Sequence, residues 1–304
     1  MIDRYDALNN SFEKTLIFRF GDHAGFFSEL NNVILAVLYC LDNRIRFALY
    51  TSEVSPAIHW NDYFQPFCEQ TTSRKHLIHN KRSLSGRPSL VRSVMRTWMK
   101  RTEGFDYFTY ELWDKFRSQE FAKRRFTIPA LEIDGSILDA TRMLIGIIVR
   151  YQQRAAEQIT DVIARLDLPD EYVGLHIRSG DKTKEAQVFS ADEYMALLAR
   201  HTRVRNVFVL TDDFGNVEHL RRRYADYAFF TTCRPDERGY DFASFQRREP
   251  DARRSEYVKL LASMDVLRQA DVAFGSYRTN PGMFLGMCMG TGFIGIDSDE
   301  WVLW

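Results

Sequence analysis

The sequence lacks several features that would assign it to common classes of protein. It has no excess of charge, because 41 Lys and Arg residues are balanced by 41 Asp and Glu residues. The basic surplus expected of a nucleic-acid-binding protein is therefore missing. Four scattered cysteines form no C-x-x-C pair, so neither a zinc site nor a disulfide framework is predicted. Free thiols in a reducing compartment are the simpler interpretation.

Long apolar segments are also missing. The longest apolar runs, 33–41 and 143–149, are far too short to cross a membrane. The first 14 residues are polar and contain no apolar core of a secretory signal. We therefore expect a soluble, cytoplasmic protein with no transmembrane segment and no nucleic-acid partner. No oligomeric state is predicted.

Strand-like runs alternate with helix-like segments, which is typical of an α/β protein with parallel sheets. Strands are predicted at 15–20 and 46–50, with a helix at 30–41 between them. A long helical pattern runs from Ser136 to Leu166 and ends at Pro169. We place a domain boundary near residue 168, which gives domains of residues 1–168, with a helical insertion, and 169–304.

The second domain is predicted to contain five strands, at 172–177, 206–210, 227–230, 271–274 and 293–296. The segment 231–252 has no hydrophobic period and is rich in charged and aromatic residues, which predicts a long functional loop or lid. The segment 71–92 is polar and basic and is predicted to be a loop. Aromatic residues between 98 and 121 are expected to fill a core, or alternatively to form a platform for sugar rings.

Polar side chains are concentrated after the strand 172–177. His176, Arg178, Asp181, Lys182 and Glu185 follow one another closely, and then an S-x-x-E capping box opens a helix. Ligands settle at the carboxyl ends of parallel strands, where an arginine fork and a lysine charge suit phosphate oxygens. The alternative interpretation is an ordinary loop with surface ion pairs.

This stretch resembles the donor-binding motif of the α1,6-fucosyltransferases and related GDP-fucose transferases, H-x-R-x-x-D-K followed by E-A-x-F and E-E-Y-M. One residue fewer separates Lys182 from Glu185 than in the family, and one residue more separates Ala186 from Phe189. The resemblance runs from about Val173 to Gly275 and is fainter over 21–66. The matching residues are His176, Arg178, Asp181, Lys182, Glu185, Ala186, Phe189, Glu193, Tyr194 and Met195.

The resemblance implies a GT-B fold, in which two Rossmann-like domains face each other across a nucleotide-sugar cleft. The first domain would serve the acceptor and the second would bind the donor nucleotide. It also implies inverting transfer of fucose from GDP-fucose to a glycan or glycolipid hydroxyl, with no cofactor and no required metal. The Asp-x-Asp motif of metal-dependent transferases does not follow any predicted strand.

Further site residues follow from the same resemblance. Thr211-Asp212-Asp213 matches a T-D-D motif of the family, although Thr-Asp is also a common helix N-cap. The loop 275–279, with Ser276, Arg278 and Thr279, lies where the family binds the β-phosphate. The family's base-recognising aspartate falls on Ser263, and Asp265 is the nearby substitute. Tyr194 is assigned to nucleotide binding.

The roles implied for the motif are specific. Arg178 binds the diphosphate, and His176 lines the nucleotide unless it is a core histidine. Glu185 is the general base, oriented by Lys182, with Asp181 and Asp212 as competing candidates. Two alternatives remain open: a glycan- or nucleotide-binding module without turnover, and a transferase that uses another nucleotide sugar.

Overall fold

A computed structural model describes residues 1–21, 25–51, 59–82, 90–179 and 189–303, apart from the side chain of Phe242. The chain divides into two compact units, Met1–Gln152 and Gln153–Val302. None of the described helices is long and apolar enough to cross a membrane.

The described helices and strands alternate along much of the chain. The α-helices are α1 (Ile2–Asn10), α2 (Phe26–Asp42), α3 (Trp60–Tyr63), α4 (Lys75–His79), α5 (Leu90–Glu103), α6 (Thr109–Phe116), α7 (Gln119–Ala122), α8 (Ile137–Ile148), α9 (Gln153–Ala164), α10 (Ala191–His201), α11 (Phe214–Arg223), α12 (Phe242–Gln246), α13 (Pro250–Gln269) and α14 (Asn280–Met289). The strands are β1 (Lys14–Arg19), β2 (Ile45–Tyr50), β3 (Glu69–Thr71), β4 (Tyr107–Phe108), β5 (Phe126–Ile128), β6 (Ile133–Gly135), β7 (Val173–Ile177), β8 (Asn206–Thr211), β9 (Ala228–Phe230), β10 (Ala273–Gly275) and β11 (Phe293–Gly295).

The first unit is built on a parallel sheet with strand order β3-β2-β1-β4. Its apolar strands β1 and β2 are almost entirely buried. The 17-residue helix α2 packs against them and is itself buried along most of its length. A separate antiparallel pair joins β5 to β6. The unit therefore has its own core.

The second unit is built on a parallel sheet with strand order β11-β10-β7-β8-β9. This is the order of a doubly wound sheet: β8 and β9 lie on one side of β7, and β10 and β11 lie on its other side. Ligands of such sheets bind outside the carboxyl ends of the two strands at the switch point. Here those strands are β7 and β10.

The side chains of β7 alternate between two faces of the sheet. Val173, Leu175 and Ile177 pack with α10 and α11 in the hydrophobic core. The opposite face meets α13, because a side chain at Gly174 would approach Leu267 to 2.5 Å. His176 shares that face with Gly174, since alternate residues of a strand point the same way.

The structure confirms the predicted α/β class with two parallel sheets. Its contacts divide the chain after Gln152, whereas the sequence placed the boundary near 168. The reason is that α9 packs against α13 of the second unit. The predicted loop 71–92 contains the short helix α4 and the start of α5, and α13 begins at Pro250 inside the segment expected to be a loop.

Candidate functional site at the carboxyl edge of the second sheet

Arg178 lies directly after β7 and is held by groups from two other segments. Its guanidinium forms an ion pair with Asp212, which follows β8. It also lies over the ring of Tyr240, with 5.1 Å between its central carbon and the ring centroid. The Arg178 side chain is only 20% exposed, so the ion pair is partly shielded from water and from salt. The structure therefore fixes this positive charge at the edge where a ligand is expected.

Asp212 connects three segments at this edge. One carboxylate oxygen accepts a 2.9 Å hydrogen bond from the Ser179 backbone N–H, and the other accepts a 3.1 Å bond from that of Tyr240. The same carboxylate pairs with Arg178. Because its oxygens already serve two N–H groups and a guanidinium, Asp212 is poorly suited to receive a proton during a reaction. Its place is that of a positioning residue for Arg178.

The predicted long loop after β9 is tied down near its middle, at residues 237–239. Arg238 makes two 3.1 Å hydrogen bonds to Glu218 of α11, and the Gly239 N–H donates to the Asp212 carbonyl. Glu237 forms an ion pair with Lys259 of α13. Within it, α12 forms a single short turn of helix. Tyr240, which belongs to this loop, therefore covers Arg178 with its ring. The loop itself is fastened to α11 and α13.

His176 is buried beside this cluster, with 4% of its surface exposed. Its Nδ1 atom finds no hydrogen-bond partner among the described residues. Burial, and next the neighbouring Arg178 charge, lower the His176 pKa from its usual 6.5 to about 3. The imidazole is therefore neutral at physiological pH. An unsatisfied buried nitrogen next to the switch point fits a residue that contacts a ligand.

We expect His176 to make folding sensitive to mild acid. Its pKa is about 3 in the folded chain and near 6.5 when unfolded, so below pH 6.5 the unfolded chain binds more protons. The unfolding free energy should then fall by about 1.4 kcal/mol from this residue alone between pH 7.5 and 5.5. Urea titrations at both pH values measure this loss.

The control compares His176→Asn with His201→Asn, since His201 is exposed on α10. The pH-dependent loss should shrink by about 1.4 kcal/mol in the first variant and stay parental in the second. An unchanged loss in His176→Asn would refute the assigned burial of this histidine.

The loop after β10 is ordered by a carboxylate from the chain's last segment. Asp297 accepts hydrogen bonds from the Ser276 hydroxyl at 2.6 Å and from the Tyr277 N–H at 2.9 Å. It also accepts one from the Arg278 N–H at 3.1 Å. Backbone N–H groups that the sequence assigned to a phosphate are thus occupied by the protein's own anion.

Side chains in this loop point in opposite directions. Tyr277 is buried, and its hydroxyl donates to the Phe293 carbonyl at 2.8 Å. Arg278 is exposed, and nothing in the described part of the chain pairs with its guanidinium. Thr279 caps α14 by accepting the Gly282 N–H at 3.1 Å. Of the three predicted ligands here, Arg278 is the one whose side chain is available.

The path of this loop requires glycine at 282. A Cβ atom there would stand 1.9 Å from the Ser276 carbonyl oxygen, which belongs to the backbone and cannot rotate away. We expect Gly282→Ala to lower the unfolding free energy by about 1–3 kcal/mol or more and to weaken nucleotide binding, because the loop must shift. Urea unfolding and calorimetry measure the two effects.

Gly146→Ala is the matched control. Gly146 lies in α8 with open space where a Cβ would be, so alanine should stabilise the helix by roughly 0.5–1 kcal/mol. If Gly282→Ala were as stable as the parent and bound nucleotide equally well, the loop geometry described above would be wrong.

Other predicted ligands lie away from the Arg178 cluster or are engaged in the fold. Tyr194 is 3% exposed within the hydrophobic core, and burial raises its pKa well above the usual value. Asp213 caps α11 by accepting the Gly215 N–H at 2.9 Å, which is the capping interpretation of Thr-Asp-Asp. Both positions have a structural role.

Asp265 does not occupy the place of Ser263. Two residues along a helix differ by about 200° in direction, so the two side chains leave α13 on opposite sides. Ser263 is fully buried and hydrogen-bonds the Thr232 hydroxyl at 2.7 Å. Asp265 lies 3.4 Å from Arg268. The helix geometry therefore disfavours Asp265 as the residue that recognises the base in place of an aspartate at position 263.

The three predicted catalytic residues, Asp181, Lys182 and Glu185, lie outside the described residues. Sequence reasoning missed two residues that organise the site, Tyr240 and Asp297. Tyr240 belongs to a segment without any hydrophobic period, and Asp297 follows the last strand, far along the chain from the loop that it orders. The polarity of Asp297 directly after a strand was the one available signal.

Residues 140–251 match the family model described as "Alpha-(1,6)-fucosyltransferase N- and catalytic domains". The matched segment, less than half of the chain, includes Arg178, Asp212 and Tyr240 but not the loop 275–279. The match agrees with the resemblance to α1,6-fucosyltransferases that the sequence motif indicated. The comparison with curated protein sequences found no match.

Solved structures with a similar fold include the fucosyltransferase NodZ from Bradyrhizobium, at 13% identity and a TM-score of 0.52. The alignment covers 91% of this chain and 92% of that one. NodZ soaked with GDP-fucose gives a TM-score of 0.53, with the same identity and coverage. A FUT1 variant of Arabidopsis thaliana in complex with GDP is 11% identical with a TM-score of 0.52, over 96% of this chain and 72% of that one. At these identities the likeness confirms the GT-B type of fold.

Proposed function

We propose that the protein transfers fucose from GDP-fucose to a hydroxyl group of a glycan or glycolipid acceptor. In this proposal the configuration at the anomeric carbon is inverted and no metal ion is required. The observation that supports it best is the position of Arg178. It is fixed at the switch point of a doubly wound sheet, inside the segment that matches the fucosyltransferases.

In the proposed reaction, positive groups stabilise the departing diphosphate. Arg178 and Arg278 stand after β7 and β10, the two strands at the switch point. A guanidinium has five N–H donors, so the pairing of Arg178 with Asp212 does not exclude a phosphate contact. Charge that develops on the leaving group is then stabilised by groups already in place. His176, neutral and buried, offers its Nδ1 atom to the nucleotide.

The acceptor oxygen attacks the anomeric carbon from the face opposite the diphosphate. Its proton passes to the carboxylate of Glu185, which Lys182 orients, as the bond between that carbon and the phosphate oxygen breaks. Asp181 remains the competing base. If activity disappeared on addition of EDTA and returned with a divalent cation, the metal-independent part of the proposal would be wrong.

The proposal is tested by comparing nucleotide binding with turnover. Titration of GDP, UDP and ADP by calorimetry should give binding for GDP in preference to the other two. Incubation with GDP-fucose and a mixture of glycan acceptors should then release GDP. Preference for UDP or ADP would favour a transferase of the same fold that uses another nucleotide sugar. This alternative is retained because a buried serine, Ser263, stands where the family has its base-recognising aspartate.

A second candidate function is a binding module that has lost turnover. The observation that favours it is that carboxylates of the protein already bind the groups expected to bind phosphate. Asp212 pairs with Arg178, and Asp297 accepts hydrogen bonds from the loop 276–278. Such a module would bind GDP but release none from GDP-fucose with any acceptor tested. The same pair of measurements therefore separates the two functions.

A further inference from the structure

Helix α5 of the first unit carries its apolar stripe on the outside. Large hydrophobic side chains at positions spaced for one helical face are 38–85% exposed: Leu90, Val91, Val94, Met95 and Trp98. Ile78 of the neighbouring helix α4 is 65% exposed. Apart from Met1, these are all the exposed large hydrophobic residues in the described ranges. A contiguous exposed apolar surface marks an interaction site. We call these six residues the α5 stripe.

The helix is held to the body by its other side, so the stripe cannot turn inward. Met99 is buried in a small hydrophobic core, and the Arg96 guanidinium lies 5.0 Å from the Tyr110 ring centroid. Lys100 forms a 2.7 Å ion pair with Glu111. Helix α4 is joined to α5 by Lys75, whose amino group stands 4.4 Å from the centroid of Trp98. These contacts leave the stripe facing outward.

The sequence around the stripe is strongly basic, although the whole chain is neutral. Between Thr72 and Thr102 there are nine Lys and Arg residues and no Asp or Glu. Those that the structure describes as exposed are Arg74, Lys75, Lys81, Arg92 and Arg101. An apolar helical face that carries a tryptophan and is bordered by basic residues has the composition of a helix that lies in a membrane interface.

We propose that the α5 stripe docks on the surface of an anionic phospholipid bilayer. Its apolar side chains would enter the boundary between headgroups and acyl chains, and the surrounding cations would contact lipid phosphates. A second copy of the chain is a poorer occupant. Two stripes packed on each other would bring two basic surfaces together. Lys75 and Lys100 are paired with Glu103 and Glu111, but the segment 72–102 itself contains no acidic residue. The proposal is independent of the transferase reaction.

The test is co-sedimentation of the whole protein with extruded vesicles of phosphatidylcholine, with and without phosphatidylglycerol. The parent should sediment with the anionic vesicles, bind the zwitterionic ones at least about tenfold more weakly, and lose binding as salt is raised. Val94→Ser/Trp98→Ser should lower the partition coefficient by about tenfold or more, since apolar groups would no longer enter the bilayer. Arg92→Ser/Arg101→Ser should lower it too and flatten the salt dependence.

Arg154→Ser/Arg165→Ser is the matched control, because it removes two exposed cations from another part of the surface. It should bind vesicles like the parent, and all variants should unfold like the parent in urea. The proposal is overturned if the parent does not bind anionic vesicles, or if Val94→Ser/Trp98→Ser and Arg92→Ser/Arg101→Ser both bind like the parent. It is equally overturned if sedimentation velocity shows self-association that Val94→Ser/Trp98→Ser abolishes while vesicles bind nothing, since the stripe would then be an interface between copies.

Discussion

Arg178→Ala should weaken GDP binding more than any other single substitution in the described site. A partly desolvated arginine–phosphate contact contributes on the order of 2–4 kcal/mol, so the dissociation constant should rise by between about 30-fold and about 1,000-fold. Arg178→Lys should remain poor, because an ammonium group cannot present the planar fork that pairs with Asp212 and lies over Tyr240. Isothermal titration with GDP measures both variants.

The interpretation of this result needs two controls. Arg222→Ala removes an exposed arginine of α11 and should leave GDP binding unchanged. Arg178→Ala/Asp212→Asn removes both charges of the ion pair and thereby separates loss of the ligand contact from the cost of an unpaired carboxylate. If Arg178→Ala, folded as judged by urea unfolding, bound GDP as tightly as the parent, the diphosphate site would have to be elsewhere.

Glu185→Gln should abolish most transfer while leaving GDP binding intact. Glutamine preserves the shape and hydrogen bonding of the side chain but cannot take the acceptor's proton, so the rate should fall by roughly 10²–10⁴-fold. The measurement is release of GDP from GDP-fucose in the presence of an acceptor, beside a GDP titration of the same variant.

Asp181→Asn is the comparison that decides the assignment of the base. If Asp181→Asn were inactive while Glu185→Gln kept nearly the parental rate, the base would be Asp181. The third candidate, Asp212, is set apart by its contacts with Arg178 and with the Ser179 and Tyr240 N–H groups. Loss of activity in Asp212→Asn is expected to accompany weaker GDP binding, which a base variant would not show.

The second unit was largely predictable because its signals are local. The capping box of Ser190 and Glu193 opens α10 at the predicted residue, and the alternation of strands and helices gave the parallel sheet. The carboxyl ends of β10, β7 and β8 are adjacent as expected, so the residues that follow these strands share one edge. Short apolar strands with polar ends carry this information in sequence.

The rest depended on contacts between distant segments. No local pattern reports that the Asp297 carboxylate will hold the N–H groups of Tyr277 and Arg278, or that Tyr240 will cover Arg178. Helix α5 was predicted in part as a loop, because its apolar face is exposed and the residues before it are polar and basic. Propensity and periodicity describe one element at a time, whereas ligand sites are assembled from several.

Calorimetric titration of the parent protein with GDP, in parallel with Arg178→Ala, tests the central claim most directly. The claim is that the edge formed by β7, β8 and β10 binds the diphosphate of a guanine nucleotide. We predict saturable binding of GDP to the parent, tighter than that of UDP or ADP, and a loss of about 30-fold or more in the variant. No binding of GDP by the parent, or equal binding by the two proteins, would contradict the account.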